Sequence, residues 1–562
     1  MPARAAQNME KRRSNRSLVI AIAVMAGILH YAFEGDKPVH IEEPRYVLSA
    51  RHMLEAPGHP ANPPVREQAT HKDPSPRPLG SIPAWPAVLA IPIAVFGGKA
   101  EALHLVMVPF TVLTVLATGL IAEALAIPAI PAALLASISP VISVHASGLM
   151  PNLPSLALVL GAMLCLFRAG KSARWGALGA TLFIMASLLE LSALILFPAA
   201  VLFALRGKNG GWKSVRWTLA GLLGALAWPT AQFIMNSGMR GFFGDIQPWN
   251  GTWMPLGLTA KGAFALSTLS SAILHPGIWL VLLGARLARS NRLRLLAAPL
   301  LSGLLLALLW IGGAWSSYHP MVFASAPSGI NAWWFGLSAF FFSAWFFAVI
   351  LETRGKAAFL PWWTGFCVAG AILAPQVSYQ FLLGAVPAII MLAVRDLASL
   401  LHPSLRTTVT GALIAGTLWL AACLVQADMR YALSVEGLLD TAQHALARAG
   451  LKGILMPMWE FPYHGANRGF LPAGPDIWRS VPGRALIFTR VAPTPMPPAI
   501  VPGLEAPKLR GWMVFYAEAP ELPLRTMDPD SSAGFYGNGW LPYSFSTAPL
   551  ETVTLARIVS KP

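Results

Sequence analysis

Charge is scarce in this chain. Of its 562 residues only 12% are Asp, Glu, Lys or Arg, against about 25% in an ordinary soluble domain. Acid is scarcer than base: 25 carboxylates stand against 41 Lys and Arg, for a formal net charge of +16. Cysteine is nearly missing. The three present, Cys165, Cys367 and Cys423, lie in apolar runs without metal-ligand spacing, so they read as small packing residues and not as a disulfide framework. Internal repeats and low-complexity segments are lacking too. Little charge, 55% hydrophobic residues and a mean hydropathy of +0.57 exclude an ordinary soluble fold and point to a bilayer as solvent. The excess base falls in short loops between apolar runs, and no nucleic-acid motif accompanies it. The expected partner is therefore the lipid bilayer and not nucleic acid.

Thirteen apolar runs are expected to span: 17–33, 102–122, 126–146, 153–168, 175–189, 191–205, 217–235, 264–285, 293–312, 333–351, 358–374, 378–395 and 408–427. Several hold only about 15 residues, short for a hydrocarbon core of about 30 Å. The basic N-terminus (Arg4, Lys11, Arg12, Arg13, Arg16) precedes an apolar run with no A-x-A cleavage site, which predicts a retained first helix with its N-terminus cytoplasmic. Alternate crossings then put the basic loops 168–174, 206–216, 286–294, 352–356 and 395–407 inside, as the positive-inside rule requires. This parity holds only if proline-rich 81–97 does not cross, so that segment is read as a juxtamembrane helix on the outer face. The expected organisation is a transmembrane domain over 1–427, including a first periplasmic loop at 34–80, followed by a periplasmic domain over 428–562. In the latter, RALIFTRV (484–491), GWMVFYAEA (511–519) and ETVTLARIV (551–559) read as strands. The fold class is thus an α-helical polytopic membrane protein with a small C-terminal extracytoplasmic α/β domain, placed in a bacterial inner membrane.

The long outer loops, 34–80, 236–263 and 313–332, gather polar, acidic and aromatic residues on one side. The densest stretch is HIEEPRYVLSARHMLEAP, His40 to Pro57. Tyr46, Ala50 and Met53/Leu54 recur at helical spacing, so an amphipathic helix begins just after the adjacent acids Glu42 and Glu43. A carboxylate at a helix N-terminus is held ionised by the dipole and can take a proton from a hydroxyl. A helix cap and first-turn acid accounts for the same residues equally well.

The run E-E-P-R-Y-x-x-x-A-R-H-M-L resembles the D-E-x-R-Y-x-x-x-x-R-x-M-L signature in the first periplasmic loop of GT-C glycosyltransferases, a superfamily that includes bacterial family-39 proteins and aminoarabinose lipid A transferases. SPRPLGSIPAWPAVLAIPIAVFGGKAEALHL (75–105) is placed like that family's K-P-P-L-x-x-W-L juxtamembrane helix. SPVISVHASGLMPNLPSLALVLGAMLCLFRAG (139–170) is similar to its second periplasmic segment, and GFYGNGWLPYSFSTAPLETVTLARI (534–558) to the end of its extracytoplasmic domain. The resemblance implies a GT-C-like fold of about thirteen transmembrane helices and a polyprenyl-phosphate-linked sugar donor. The acceptor would be a hydroxyl on a lipid, glycan or protein, reached by inverting displacement. It implies Glu42 as the base, with Glu43 following it and Arg45 and Tyr46 in the same motif. The sequence departs from the family pattern. Asn152 stands where the second-loop acid is expected, Tyr379 or Gln380 where a phosphate-binding Arg is expected, and Lys72 or Arg77 near the place of the K-P-P lysine. Arg45, Arg51 and Arg240 are the remaining cations for a phosphate.

His145 and Glu190, at predicted outer span ends, are candidate binding residues; each could equally be an ordinary span end meeting water. His275, before Pro276, reads as a helix-bend residue. His40, His52, His59 and His71 share the first loop with acids, compatible with a divalent metal, although their spacing matches no standard motif. No cofactor is otherwise implied. Trp249, Trp253, Trp333 and Trp334 could stack on sugars but read better as an interfacial belt. Two other functions remain open: a catalytically inactive scaffold on the same fold, which Asn152 favours, and a transporter or lipid flippase, which the lack of repeats disfavours.

Overall fold

The computed structural model describes residues 2–40, 43–55, 84–206, 211–235, 262, 265–289, 297–311, 329–353, 355–373, 380–400 and 402–455, with short segments of the remainder: 464–465, 468–472, 484–489, 509–516, 524–528, 533–534, 542–546 and 552–558. Among these, helices come first: α1 Pro2–Glu34, α2 Glu43–Glu55, α3 Ala84–Phe96, α4 Ala100–Leu105, α5 Met107–Ala124, α6 Ala129–Ser137, α7 Pro140–Ala146, α8 Asn152–Arg168, α9 Ala173–Leu189, α10 Phe197–Leu205 and α11 Gly211–Met235. Then follow α12 Gly277–Arg289, α13 Ala297–Ile311, α14 Gly329–Glu352, α15 Phe359–Leu373, α16 Gln380–Leu383, α17 Val386–Leu400 and α18 Pro403–Arg448. Each of the thirteen apolar runs is helical over at least part of its length. Among the described residues, four helical stretches are long and apolar enough to cross a membrane: Ser14–Glu34, Ala100–Ala124, Gly329–Glu352 and Pro403–Arg448. The pair α6 and α7, bent by 55°, makes a fifth if taken as one broken span. Others are apolar but shorter, α8 and α9 at 17 residues each. The chain is a multi-pass helical membrane protein.

Antiparallel α1 and α5 set the frame. At one end the Arg16 guanidinium grips Glu123 with two bonds, Nε to Oε2 at 2.8 Å and Nη2 to Oε1 at 2.9 Å. At the other, just past the end of α1, the Lys37 carbonyl accepts from His104 Nε2 at 3.0 Å. The segment from 38 to 99 therefore leaves and returns at the same end. Helix α3 within it, 13 residues long, reaches about 20 Å at 1.5 Å per residue, too short to cross. It lies within the 81–97 segment. Gly97 and Gly98, both left-handed (φ 74° and 76°), turn the chain from α3 toward α4, a conformation that costs a residue with a Cβ dearly.

Breaks inside the bundle satisfy one another. Between α6 and α7 the helix stops near Ser139, and the segment from 272 to 276 interrupts the run expected at 264–285. Val141 N–H donates to Ala272 O at 2.9 Å and Ser139 Oγ to Ile273 O at 2.8 Å. His275 N–H, beside Pro276, donates to Thr417 Oγ1 at 3.1 Å. Interrupted backbone at membrane depth is tolerated when protein groups complete it in this way. His275 is thus a bend residue with a satisfied backbone.

Helix α18 has 46 residues and passes through positions 427 and 428 without interruption. Beyond the bundle, Tyr431, Val435, Leu438, Leu439, Ala442 and Leu446 recur at helical spacing and are buried. This stripe carries the sheet domain. Its five strands run in the order β2–β1–β3–β9–β4, with β1 Lys452–Leu455, β2 Leu471–Pro472, β3 Arg484–Thr489, β4 Leu509–Tyr516 and β9 Thr552–Ile558. The three expected strand runs, at 484–491, 511–519 and 551–559, supply β3, β4 and β9, which are adjacent and antiparallel. The parallel strands β1 and β2 complete the sheet. Between β4 and β9 lie short ladders, β5 Leu524–Arg525 with β8 Ser544–Phe545 and β6 Met527–Asp528 with β7 Ala533–Gly534. The β8 ladder docks on the bundle. Asn331 exchanges two hydrogen bonds with the Phe545 backbone, and Tyr543 OH receives Trp334 Nε1 at 3.0 Å.

Candidate functional site

The acid pair sits where α2 begins. Glu43 is the first residue of that helix, and its carboxylate is fully committed. Oε2 accepts the N–H of His40, three residues back, at 3.1 Å, a reciprocal cap with the Glu43 N–H on His40 O. Oε1 accepts the Leu149 N–H at 3.0 Å. Leu149 lies in the turn between α7 and α8, 106 positions along the chain. Gly148 makes the approach possible, since a Cβ there would stand 3.2 Å from Glu43 Oε1. Trp85 Nε1, from α3, donates to the Leu149 carbonyl at 2.8 Å. One residue, Leu149, thus ties α2, α3 and the α7–α8 turn together through its N–H and its carbonyl. Of the predicted α2 face, Tyr46 and Ala50 are buried, with Val47 beside them, while Leu54 is 44% exposed and so ends the apolar stripe earlier than expected.

Behind Glu43 lies a buried chain of charges. Lys37 Nζ meets Asp428 Oδ2 at 3.0 Å and Ser147 Oγ at 3.2 Å. His40 bridges the two carboxylates, with Nδ1 3.3 Å from Glu43 and Nε2 3.2 Å from Asp428. Thr526, between β5 and β6, donates to Asp428 Oδ1 at 3.0 Å. Burial, then Lys37, press the His40 imidazole toward neutrality, but the Glu43 and Asp428 carboxylates outweigh them and hold its pKa at about 9. Burial opposes the charge on Glu43, yet His40 and Lys37 pull its pKa down to about 2. Burial also works against the Lys37 ammonium, and its carboxylate neighbours, Asp428 foremost, keep it above its ordinary value. The cluster is a buried string of two cations and two anions that stabilise one another, with Leu149 N–H, Ser147 and Thr526 adding neutral hydrogen bonds.

Asn152 opens α8, three positions past Leu149, and is 3% exposed. Both atoms of its side-chain amide lack a hydrogen-bond partner among the described residues. A buried amide left open in this way has unused capacity for a polar ligand or water. His145, in the last turn of α7, is buried and directs Nδ1 at Val141 O, 2.7 Å away. Glu190 ends α9, half-buried, with its N–H on Ala186 O. Ser155 of α8 donates to that same Ala186 carbonyl at 3.1 Å, which places Glu190 at the Asn152 end of the bundle.

No protein family and no curated protein matches the sequence. Among solved structures, the chain is similar to ArnT from Cupriavidus metallidurans in its apo state, at 12% identity over 84% of this chain and 92% of that one, with a TM-score of 0.36. It is also similar to the same protein bound to undecaprenyl phosphate, at 11% identity over 97% of this chain and 98% of that one, with a TM-score of 0.38.

Several expected site residues fall outside the description. Glu42, Lys72, Arg77, Arg240 and Tyr379 lie outside the described residues, as do His59, His71, Trp249 and Trp253. Gln380 begins α16, and Arg45 lies in α2. No group of three or more metal-ligating side chains among the described residues is arranged to hold a metal ion. Trp334 packs edge-on against Phe545, whereas Trp333 is 73% exposed.

The cations expected near a phosphate are Arg45, Arg51, Lys72, Arg77 and Arg240. The cation that the structure buries beside the acid pair is Lys37, which, with Asp428 and His104, carried no motif. Position offered a signal: Lys37 and Asp428 each lie within a few residues of the end of a long apolar run, where an ion at membrane depth needs a partner.

Proposed function

We propose that the chain is a GT-C-type membrane glycosyltransferase. It would move a sugar from a polyprenyl-phosphate-linked donor to an acceptor hydroxyl by inverting displacement. One observation carries this reading: Glu43 joins the acid-pair motif to the turn that precedes Asn152, two segments 106 residues apart. Both carry the family resemblance, and a shared site requires them to meet. Trp85, from the segment 75–105, donates to the Leu149 carbonyl of the same turn, so three regions that resemble the family converge at one end of the bundle.

The two acids divide the work. Glu43 has both carboxylate oxygens in protein hydrogen bonds and acts as a positioning residue. The proton-accepting role falls to Glu42, its neighbour in the motif, which would deprotonate or orient the acceptor hydroxyl as the bond to the sugar forms and the polyprenyl phosphate leaves. Asn152, buried with an open amide, can hold a hydroxyl of sugar or acceptor by hydrogen bonds but cannot take its proton. Arg45 and Lys72, both in the first outer loop, are cations from which a phosphate ligand would be drawn. The outer, periplasmic face of a bacterial inner membrane is the expected setting.

The test compares envelope glycans and lipid-linked sugars in cells lacking the gene, carrying the wild type, or carrying Glu42→Ala at equal membrane abundance. Restoration of a missing sugar by the wild type alone supports the transferase. Equal restoration by both removes Glu42 from the mechanism. If deletion alters no glycan, the scaffold reading that Asn152 favours replaces this one.

A further inference from the structure

Between α1 and α5, at the Lys37 end, a crevice of about 210 Å³ is lined by His30, Tyr31, Glu34, His104, Thr111 and Ser147, among others. Two of its polar atoms are orphaned. Glu34 and His104 are each 3% exposed, and neither Glu34 Oε2 nor His104 Nδ1 has a hydrogen-bond partner among the described residues. The hydrogen bonds that are made fix the character of those that are not. His104 Nε2 faces the Lys37 carbonyl at 3.0 Å and must carry the proton, so Nδ1 presents a lone pair. His30 Nε2 faces the Ser137 carbonyl at 3.3 Å, and its Nδ1 stands 3.6 Å from Glu34 Oε1. Thr111 and Ser147 spend their hydroxyl protons on the carbonyls of Met107 and Val144. The two orphaned atoms of the crevice, Glu34 Oε2 and His104 Nδ1, are therefore both acceptors, and the Thr111 and Ser147 hydroxyls bring them no donor.

Charge points the same way. Lys37 and His40 face Asp428 and Glu43 directly, and Glu34 adds a third carboxylate that the Lys37 ammonium feels only through space. A buried anion calls for a positive partner. The closed end of the crevice has room for about one water-sized group. It opens at the ends of two long apolar helices, the depth at which lipid headgroups lie. We infer that this crevice binds a primary ammonium group, which is water-sized, positively charged and carries three N–H donors for Glu34 Oε2, His104 Nδ1 and the His30–Glu34 edge. The group is carried either by a lipid headgroup or by a small soluble amine. The inference is independent of the transferase reading and survives or fails without it.

The full chain, purified in detergent, is titrated with methylammonium and with tetramethylammonium at constant ionic strength, and its thermal unfolding midpoint is followed. Methylammonium is expected to raise the midpoint saturably and tetramethylammonium, which has no N–H, to leave it unchanged. Glu34→Gln is expected to weaken the methylammonium effect at least tenfold. A parallel pair of nanodiscs separates the sources. Stabilisation by ethanolamine phospholipid over choline phospholipid, abolished by Glu34→Gln, assigns the ammonium to a headgroup. An effect of methylammonium without that lipid preference assigns it to a soluble amine. Equal responses to the two ammonium ions, no response to either, or an undiminished response in a folded Glu34→Gln overturn the inference. If that variant does not fold, the wild-type comparison of the two ions decides.

Discussion

Lys37 and Asp428 stand 391 positions apart in the chain and 3.0 Å apart in the fold, both shut off from solvent. One follows the first long helix; the other lies in the last. Asp396, which precedes α18, belongs to the opposite end of the bundle, because the 25 residues from Pro403 to Asp428 rise about 38 Å along the helix. The pair therefore closes the helical domain at the end where the sheet domain attaches.

Removing one partner of this pair is expected to be worse than removing both. Lys37→Met or Asp428→Asn alone leaves a buried charge or its neighbours uncompensated, and breaking a buried pair costs about 3–5 kcal/mol. The double variant Lys37→Met/Asp428→Leu removes both charges and is expected to recover part of the loss. Thermal unfolding of the purified proteins measures this. A double variant that unfolds below both singles contradicts the account.

The same cluster sets a pH window. His40 is raised from 6.5 to about 9, so its stabilisation is complete below about pH 6.5 and disappears as pH rises through 9. Glu43 is lowered from 4.5 to about 2, so its contribution is complete above about pH 4.5 and lost as pH falls toward 2. The protein is expected to be most stable near pH 4.5–6.5 as far as this cluster decides, with an alkaline decline that His40→Gln flattens. Unfolding midpoints across pH 4 to 10 would show it; an alkaline limb unchanged in that variant would place the cause elsewhere.

At the opposite end Arg286 forks onto Asp396, Nε to Oδ2 and Nη2 to Oδ1, both at 2.8 Å, and reaches Glu352 with Nη1 at 2.8 Å. Trp345 Nε1 adds a bond to Asp396 at 2.9 Å. Planar two-point pairing is a guanidinium property that an ammonium does not reproduce. Arg286→Lys is therefore expected to destabilise although it keeps the charge. Asp396→Asn is expected to cost more than Glu352→Gln, because the Glu352 side chain is 29% exposed against 1% for Asp396. Melting curves of the three variants rank them; a reversed order for the two carboxylates would contradict the burial argument.

Much of this was legible in the residues. Apolar runs gave the helices, and short β-like runs gave β3, β4 and β9. The start of α2 at the acid pair followed from the spacing of Tyr46 and Ala50. Contacts across hundreds of residues were not legible. Apart from its place just past the first apolar run, nothing in GDKPVH marks Lys37 over Lys72 in HKDPSP, and only the fold brings the first to Asp428. The same holds for Asp428, which follows the last apolar run in an uninterrupted helix, so a domain boundary placed by composition coincides with the interior of α18. Breaks within runs, such as that at Ser139, also escape hydropathy, because the residues that complete them are more than 130 positions away.

The adjacent acids are expected to fail differently. Glu43→Gln loses the charge that faces His40 and weakens the bond to Leu149, so it lowers the unfolding midpoint and reduces sugar transfer by disturbing the loop. Glu42→Gln keeps size and polarity and removes only basicity. It is expected to leave the midpoint unchanged and to lower transfer by about 10²–10⁴-fold, the usual contribution of a general base. The measurement pairs a thermal melt with a transfer assay on membranes of cells that make the lipid-linked sugar. If Glu42→Gln retains full transfer while Glu43→Gln, still folded, abolishes it, the roles are exchanged: Glu43 would have to give up its hydrogen bonds to His40 and Leu149 to meet the acceptor, and the buried cluster behind it would be part of the chemistry rather than its support.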